Sequence, residues 1–205
     1  MPAPAIIAEL VERFEANREA YTSGKYNETQ LRREFVDPFF KALGWDVWNE
    51  QGYAEAYKDV VQTRAFQISG SPNAPDYSFG IGSLRKFLLQ TKRPSADIQR
   101  DPAPACQLRC YAWSAGLPLS ILTHFEEFAA YAGRVRPAET DKASTARVLY
   151  LRCADYVRRW DEIASIFSRE AVLKGFFDEY AAGRRRRGRK STGAGAARQR
   201  EQIST

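Results

Sequence analysis

Residues 74–92 read APDYSFGIGSLRKFLLQTK, and this stretch decides the fold because it predicts two neighbouring strands. Residues 76–81 and 86–92 are rich in the aromatic and aliphatic side chains that favour strands. Between them, Gly80 and Gly82 allow the tight connection that a hairpin needs. We therefore predict a β-hairpin in this part of the chain.

Three polar residues of this hairpin are candidates for chemistry. Side chains alternate along a strand, so Gln90 and Lys92 share one face, and pairing of the strands can bring Asp76 beside Gln90. This combination suits a metal-dependent phosphodiesterase, in which acidic oxygens hold Mg²⁺ and a lysine stabilises developing charge. The alternative is a strand end that carries solvated polar side chains.

Two helices are predicted before the hairpin. Residues 1–20 have the apolar spacing of an amphipathic helix. Asn27 is a predicted N-cap with Gln30 completing a capping box, and Gly44 ends the helix that begins there, with Pro38 as a kink inside it. One face of this helix is apolar: Leu31, Phe35, Phe39 and Leu43.

The remaining pattern predicts strands and helices in an order typical of a layered α/β domain. The fold class is therefore α/β, with a mixed β-sheet flanked by α-helices. Further strands are predicted at 45–48, 60–68, 119–123, 128–131 and 147–151, a turn at 71–73, and helices at 103–115, 156–167 and 168–182.

Composition and charge indicate one domain with a basic tail. The chain of 205 residues has 44% hydrophobic residues, enough for a sizeable core. Residues 183–205 contain eight basic residues and one acid, a net charge of +7. Because the net charge of the whole chain is +6, residues 1–182 together carry −1. We predict a domain at 1–182 and a disordered tail at 183–205.

Several classes of protein are disfavoured. No apolar run reaches membrane-spanning length, and the first residues do not have the pattern of a signal peptide. Three cysteines without framework spacing predict reduced thiols and a cytoplasmic protein. His124 is the single histidine, which disfavours two-histidine zinc sites, and we expect it at the surface or at a strand end.

The polar pattern resembles a nuclease motif. Pro75–Asp76 followed by Gln90-x-Lys92 resembles the Pro-Asp … (Asp/Glu)-x-Lys motif of the restriction-endonuclease-like superfamily. Members of that superfamily often supply a further carboxylate from the first core helix, and Glu28 lies on the apolar arc of that helix. The alternative is that Glu28 favours the helix dipole and pairs with Arg32 one turn on.

A second motif follows the lysine. Gln107 and Tyr111 lie one turn apart on the predicted helix at 103–115, and this pair resembles the Gln-x-x-x-Tyr motif of RecB-type nucleases, which directs polar groups at the site. The alternative is that Tyr111 is an ordinary core residue.

Over about residues 20–180, the chain resembles the N-terminal nuclease region of type IIG restriction-modification enzymes. That region is related to the N-terminal domain of type I restriction R subunits. The resemblance is carried by NETQLRREF from Asn27, FFKALGWDV from Phe39, APDYSF from Ala74, QLRCYAWS from Gln107, LPLSILT from Leu117 and FEEF from Phe125.

The resemblance implies a Mg²⁺-dependent endonuclease acting on double-stranded DNA. Asp76 and Glu28 would be metal ligands together with the backbone carbonyl of Thr91, Lys92 would orient water or stabilise the phosphate, and Gln107 and Tyr111 would contact water or phosphate. Non-specific affinity for DNA is expected from six basic residues of the tail: Arg184, Arg185, Arg186, Arg187, Arg189 and Lys190.

Two departures from the family pattern bear on function. Gln90 stands where the family usually has an acid, so Mg²⁺ binding and DNA cleavage are expected to be weak. The sequence also contains no Asn-Pro-Pro-Tyr-like methylation motif, so a methyltransferase or specificity subunit would be encoded separately, or the chain would be truncated. The alternative function is a non-catalytic DNA-docking or assembly module that keeps the same fold.

Overall fold

The computed structural model describes residues 2–62 and 74–183. These residues form a six-stranded mixed sheet in which the strands are ordered as they occur along the chain. The β3–β4 pair is parallel, and the other neighbouring pairs are antiparallel. The strands are β1 Val60–Gln62, β2 Tyr77–Ile81, β3 Leu84–Thr91, β4 Leu119–Thr123, β5 Glu127–Ala132 and β6 Arg147–Arg152.

Helices cover both faces of the sheet, so the predicted α/β class is confirmed, and the arrangement is consistent with a restriction-endonuclease-like fold. One long helix provides the crossover between the parallel strands. The helices are α1 Ala5–Ala16, α2 Arg18–Thr22, α3 Glu28–Leu31, α4 Asp37–Ala42, α5 Pro102–Ser114, α6 Cys153–Tyr156, α7 Trp160–Phe167, α8 Arg169–Leu173 and α9 Phe176–Ala181. A π-helical turn at Arg32–Val36 joins α3 to α4, and a 3₁₀ turn lies at Glu55–Tyr57.

Alternation along the strands divides the core in two. Phe87 and Leu89 of β3 belong to the large cluster beneath the N-terminal and C-terminal helices, whereas Leu88 packs with the smaller cluster beneath α5. Gln90 and Lys92 have the parity of Leu88, so they belong to the α5 face. This assignment agrees with the face that the sequence predicts for the two polar residues.

The first core helix begins as predicted, with a capping box between Asn27 and Gln30. Its apolar side chains are buried: Leu31, Phe35, Phe39 and Leu43. The widened π turn lies just before Pro38, which has no N–H to donate to the carbonyl of Glu34. The Arg13 guanidinium donates to that carbonyl instead, so a side chain of α1 satisfies the acceptor that proline leaves open.

Other sequence predictions need correction. The strand predicted at 45–48 is wrong, because the segment forms a turn in which the buried Trp45 indole donates to the Phe167 carbonyl at 2.8 Å. The region predicted as two helices at 156–167 and 168–182 contains three, α7, α8 and α9, and Gly175, with a φ of +81°, separates the last two. Of the strand predicted at 60–68, the described part is β1, and the turn at 71–73 and the tail from 184 onward lie outside the described residues.

Within the described residues, no helix is both long enough and apolar enough to cross a membrane.

An aromatic cluster fixes the first core helix to α1, and its loss is a direct test of the packing. Phe35 is fully buried against the rings of Phe14, Tyr21 and Phe125. Phe35→Ala should lower the free energy of unfolding by about 3–5 kcal/mol, measured by urea denaturation. The control substitution Leu84→Ala removes a side chain that is 61% exposed. It should change the free energy of unfolding by less than about 0.5 kcal/mol. Equal effects of the two substitutions would contradict this packing.

Candidate functional site

Asp76 is the centre of a polar site where β2 meets β3. It precedes β2, and extending the Tyr77–Leu89 pairing by one residue places it opposite Gln90. Its Oδ2 atom accepts hydrogen bonds from the Thr91 backbone N–H at 2.6 Å, the Thr91 hydroxyl at 2.6 Å and the Gln90 amide at 3.3 Å. The structure therefore brings Asp76, Gln90 and Thr91 together at the end of β3.

The other oxygen of Asp76 is bound by an arginine from the first core helix. Arg32 donates to Oδ1 of Asp76 through one guanidinium nitrogen and to the Thr29 hydroxyl at 3.2 Å through the other. The Arg32 and Asp76 side chains are 20% and 14% exposed, so the ion pair is shielded but in contact with solvent. The sequence predicted Arg32 only as a partner for Glu28, because spacing along the chain does not show which carboxylate lies closer to the Arg32 guanidinium.

Glu28 lies one turn before Arg32 and is half-buried. The Glu28–Arg32 ion pair that the sequence allowed is absent, since the guanidinium binds Asp76. Within residues 2–62 and 74–183, no side chain forms a hydrogen bond or ion pair with the Glu28 carboxylate. Glu28 is thus an uncompensated acid on the same helix as the arginine that binds Asp76.

Lys92 follows β3 and is half-buried. Its backbone N–H donates to the Thr123 carbonyl at 3.0 Å, which continues the parallel pairing of β3 with β4. Its ammonium group has no hydrogen-bond or ion-pair partner among the residues that the structure describes. It is therefore a cation without a bound anion, two residues from Gln90 on the same strand face.

The second polar motif lies on the crossover helix. Gln107 and Tyr111 are both half-buried on α5, whose buried Ala105 and Leu108 pack against the sheet. Gln107 forms no hydrogen bond with Asp76 or Lys92, both of which belong to the described part of the chain. The structure thus keeps Gln107 and Tyr111 on the helix that packs against β3 and β4, without a hydrogen bond from Gln107 to the site.

A buried polar cluster beside Lys92 was missed by the sequence reasoning. His124 directly follows β4 and is only 2% exposed, so it lies at a strand end but not at the surface. Its Nε2 atom lies 3.1 Å from Oε2 of Glu127, and the Tyr150 hydroxyl donates to the other oxygen of that carboxylate. The only indication in the sequence was a histidine three residues before an acid at the predicted β4–β5 connection.

The electrostatics of this cluster favour a charged Glu127. Burial acts to raise the pKa of the Glu127 carboxyl, but hydrogen bonds from His124 and Tyr150 outweigh it, and the pKa lies below its ordinary value. The other ring nitrogen of His124, Nδ1, is buried without a hydrogen-bond partner among the described residues. Glu127 is therefore a buried anion held in place by two neighbouring strands.

Mg²⁺ does not fit the arrangement of side chains around Asp76. Both oxygens of that carboxylate already accept hydrogen bonds, one of them from a cationic guanidinium. The described residues contain no group of three or more histidine, cysteine, aspartate or glutamate side chains placed to hold a metal ion. A hard divalent cation needs several free oxygen ligands, whereas among the described residues the Glu28 carboxylate is unpaired and the Asp76 carboxylate would first have to rearrange its hydrogen bonds.

Comparison with known proteins identifies a relative. The chain is 36% identical over 174 residues to the type II restriction enzyme and methyltransferase RM.Eco57I of Escherichia coli. The match covers 84% of this chain and 17% of that protein, so the chain spans about a sixth of the length of this relative. No protein-family profile and no solved structure matches the chain. The chain is therefore related to a restriction-modification enzyme.

The lowered pKa of Glu127 predicts how stability depends on pH. A carboxyl whose pKa is depressed by folding contributes stability above its ordinary pKa of about 4.3, and this contribution is lost as the pH falls through the folded value. Glu127→Gln should therefore reduce stability at pH 7 by about 1–3 kcal/mol and flatten the loss of stability below pH 4.5. Thermal unfolding as a function of pH measures both effects.

The matched control for this substitution is Glu179→Gln, which changes an exposed glutamate on α9. It should leave stability at pH 7 and the acid profile close to those of the wild type. An acid profile of Glu127→Gln that is as steep as that of the wild type would show that Glu127 is not the group whose protonation weakens the fold.

Proposed function

We propose that this chain is a nuclease-type domain of a restriction-modification system, one that binds double-stranded DNA and hydrolyses its phosphodiesters weakly. One observation carries the proposal: Asp76 is bound to Gln90 and Thr91 at the end of β3, and Lys92 follows on the same strand face, its ammonium group without a partner among the described residues. The relation to RM.Eco57I, a restriction enzyme and methyltransferase by name, supports DNA as the substrate.

Residues of this site suit an anionic, phosphate-bearing ligand. The Lys92 ammonium can bind a phosphate oxygen without first giving up a carboxylate, because no described acid pairs with it. Gln107 and Tyr111, on the helix that packs over the same face, are proposed to contact the phosphate or its hydration water. We propose that these residues belong to a domain at 1–182 and that the tail at 183–205 adds non-specific contacts.

Weak hydrolysis is expected for two reasons. Gln90 presents a neutral amide where an acid would add a charged oxygen, and Arg32 already neutralises Asp76. We propose Mg²⁺ as the cofactor, with Asp76, Glu28 and the Thr91 carbonyl as its oxygen ligands, bound only at a high concentration of the ion because the hydrogen bonds of Asp76 must first rearrange. The role of this chain's own residues would be to position the phosphate and to offset its charge.

A second candidate is a DNA-docking or assembly module without catalysis. The observation that favours it is the Arg32–Asp76 ion pair, which leaves the central carboxylate occupied. In either case we propose that the domain acts with a methyltransferase and a specificity component, because the name of its relative combines restriction and methylation.

The substitution Gln90→Glu separates these functions. Wild-type protein should nick supercoiled plasmid slowly at high Mg²⁺, and Gln90→Glu should raise the rate by about tenfold or more by adding a charged ligand. Lys92→Ala in the Gln90→Glu background should abolish the gain. Gel analysis of nicked plasmid measures the rate. If neither wild type nor Gln90→Glu nicks DNA, the docking module replaces the nuclease as the better account.

The tail is tested by the salt dependence of DNA binding. Replacing Arg184, Arg185, Arg186 and Arg187 with glutamine removes four positive charges from the full chain. The slope of log affinity against log salt concentration should become shallower by up to about 3.6, or about 0.9 for each phosphate that is no longer neutralised. Fluorescence anisotropy with a labelled duplex measures it. An unchanged slope would show that these four arginines do not neutralise DNA phosphates.

A further inference from the structure

A row of polar side chains crosses the sheet beside the proposed phosphate site. Thr91 of β3 pairs with Thr123 of β4, and the next residues along these two strands, Lys92 and His124, therefore lie side by side. His124 in turn lies opposite Glu127 of β5, and its backbone N–H donates to the Glu127 carbonyl at 3.3 Å. Strand residues of the same parity pack beneath α5, so the row lies on the α5 face of the sheet.

The imidazole of His124 is bound on one side only. Its Nε2 atom lies 3.1 Å from Oε2 of Glu127, whose carboxyl has a pKa below its ordinary value, so this carboxylate accepts a hydrogen bond and Nε2 carries a proton. Nδ1 is buried and has no hydrogen-bond partner among the described residues. A second proton on Nδ1 would place another cation beside Lys92, which has donors but no acceptor. Nδ1 is therefore a buried acceptor that lacks a donor.

A strained turn sets the positions of His124 and Glu127. Phe125, between them, has a φ of +70°, in the left-handed region that a bulky side chain rarely occupies. Its ring is buried among aromatic residues of α1 and the first core helix, and its carbonyl accepts the Tyr156 hydroxyl at 2.6 Å. Packing thus maintains a costly backbone conformation that holds the imidazole beside the carboxylate, and such strain concentrates at functional sites.

We propose that His124 is a positioning residue, whose Nδ1 atom accepts a hydrogen bond from the Lys92 ammonium and holds that ammonium in place for a phosphate of DNA. This inference rests on the proposed function, in which Lys92 contacts phosphate. An ammonium group has several N–H donors, so it can donate to Nδ1 and to a phosphate oxygen at the same time. Neither Nδ1 nor the ammonium has to give up a partner among the described residues to form this bond.

The hydrogen bond restricts a flexible side chain before DNA arrives. A lysine that is free in solution loses rotamer freedom when its ammonium binds phosphate, and this loss weakens binding. Lys92 held by His124 has already lost part of that freedom. The imidazole itself is held by Glu127, and the Tyr150 hydroxyl donates to the other oxygen of that carboxylate. The row therefore links the direction of the Lys92 ammonium to the packing of β5 and β6.

The first test reads the protonation of the His124 ring directly. His124 is the single histidine of the chain, so NMR of isotopically labelled ring nitrogens reports on this residue alone. In the full chain at neutral pH, Nε2 should carry a proton and Nδ1 should not. Lys92→Met removes the ammonium and should shift the Nδ1 signal while Nε2 stays protonated. Lys25→Met makes the same change at an exposed lysine before the first core helix and should shift neither signal.

The second test is a double-mutant cycle on duplex affinity, measured by fluorescence anisotropy in the presence of a chelator. Lys92→Met should weaken binding by about tenfold. His124→Phe keeps a ring but removes both nitrogens, and it should weaken binding by about threefold or more when Lys92 is present and not further in the Lys92→Met background. A merely structural effect of His124→Phe would appear equally in both backgrounds.

A conservative variant keeps the cycle informative if His124→Phe does not fold, as judged by circular dichroism. His124→Asn retains an oxygen acceptor close to the position of Nδ1. It should therefore bind the duplex more tightly than His124→Phe and lose this advantage in the Lys92→Met background. An advantage of asparagine that persists without the Lys92 ammonium would contradict the proposed hydrogen bond.

The outcomes separate this inference from the proposed function. A proton on Nδ1, an Nδ1 signal that is unchanged in Lys92→Met, or equal effects of His124→Phe in both backgrounds would overturn the role of His124 even if wild type nicks plasmid. Unchanged duplex affinity of Lys92→Met would overturn it together with the phosphate contact of Lys92. An unprotonated Nδ1 and a Lys92-dependent loss of affinity support it even if no variant nicks plasmid, in which case the nuclease function alone fails.

Discussion

The parallel pairing of β3 with β4 is the constraint on which the rest of this structure depends. Parallel neighbours cannot be joined by a tight turn, so the chain must cross over one face of the sheet, and α5 is that crossover. The pairing also places the carboxyl ends of both strands at one end of the sheet. Lys92 and His124, which directly follow the paired Thr91 and Thr123, therefore lie at the same end.

This end of the sheet carries charges that the fold must compensate. An ionised group removed from water is costly unless it is paired or hydrogen-bonded. Asp76 is compensated by Arg32 and Thr91, and the Glu127 carboxylate by His124 and Tyr150. The contacts of Asp76 connect β2, β3 and the first core helix, and the contacts of Glu127 connect β4, β5 and β6. These two separate sets of polar contacts therefore involve five of the six strands.

The hydrogen bonds and ion pairs that compensate these carboxylates also limit which ligands the carboxylates can bind. A carboxylate whose oxygens already accept hydrogen bonds ligates a cation less readily than one with a free oxygen. Oδ2 of Asp76 accepts three hydrogen bonds and Oδ1 accepts one from Arg32, whereas Lys92 and Glu28 have no side-chain partner among the described residues. The site therefore combines a central acid that is already hydrogen-bonded with a lysine that has no described anionic partner. The relative RM.Eco57I is, by its name, a type II restriction enzyme and methyltransferase.

The sequence by itself determined the elements whose information is local. The capping box at Asn27, the apolar face from Leu31 to Leu43, the hairpin at Gly82 and the shared face of Gln90 and Lys92 follow from periodicity and turn chemistry, which act over a few residues. Only the tertiary structure decided which partner each charged group found. Arg32 lies four residues from Glu28 yet binds Asp76, 44 residues away, because packing of the first core helix against the sheet sets that distance and sequence spacing does not.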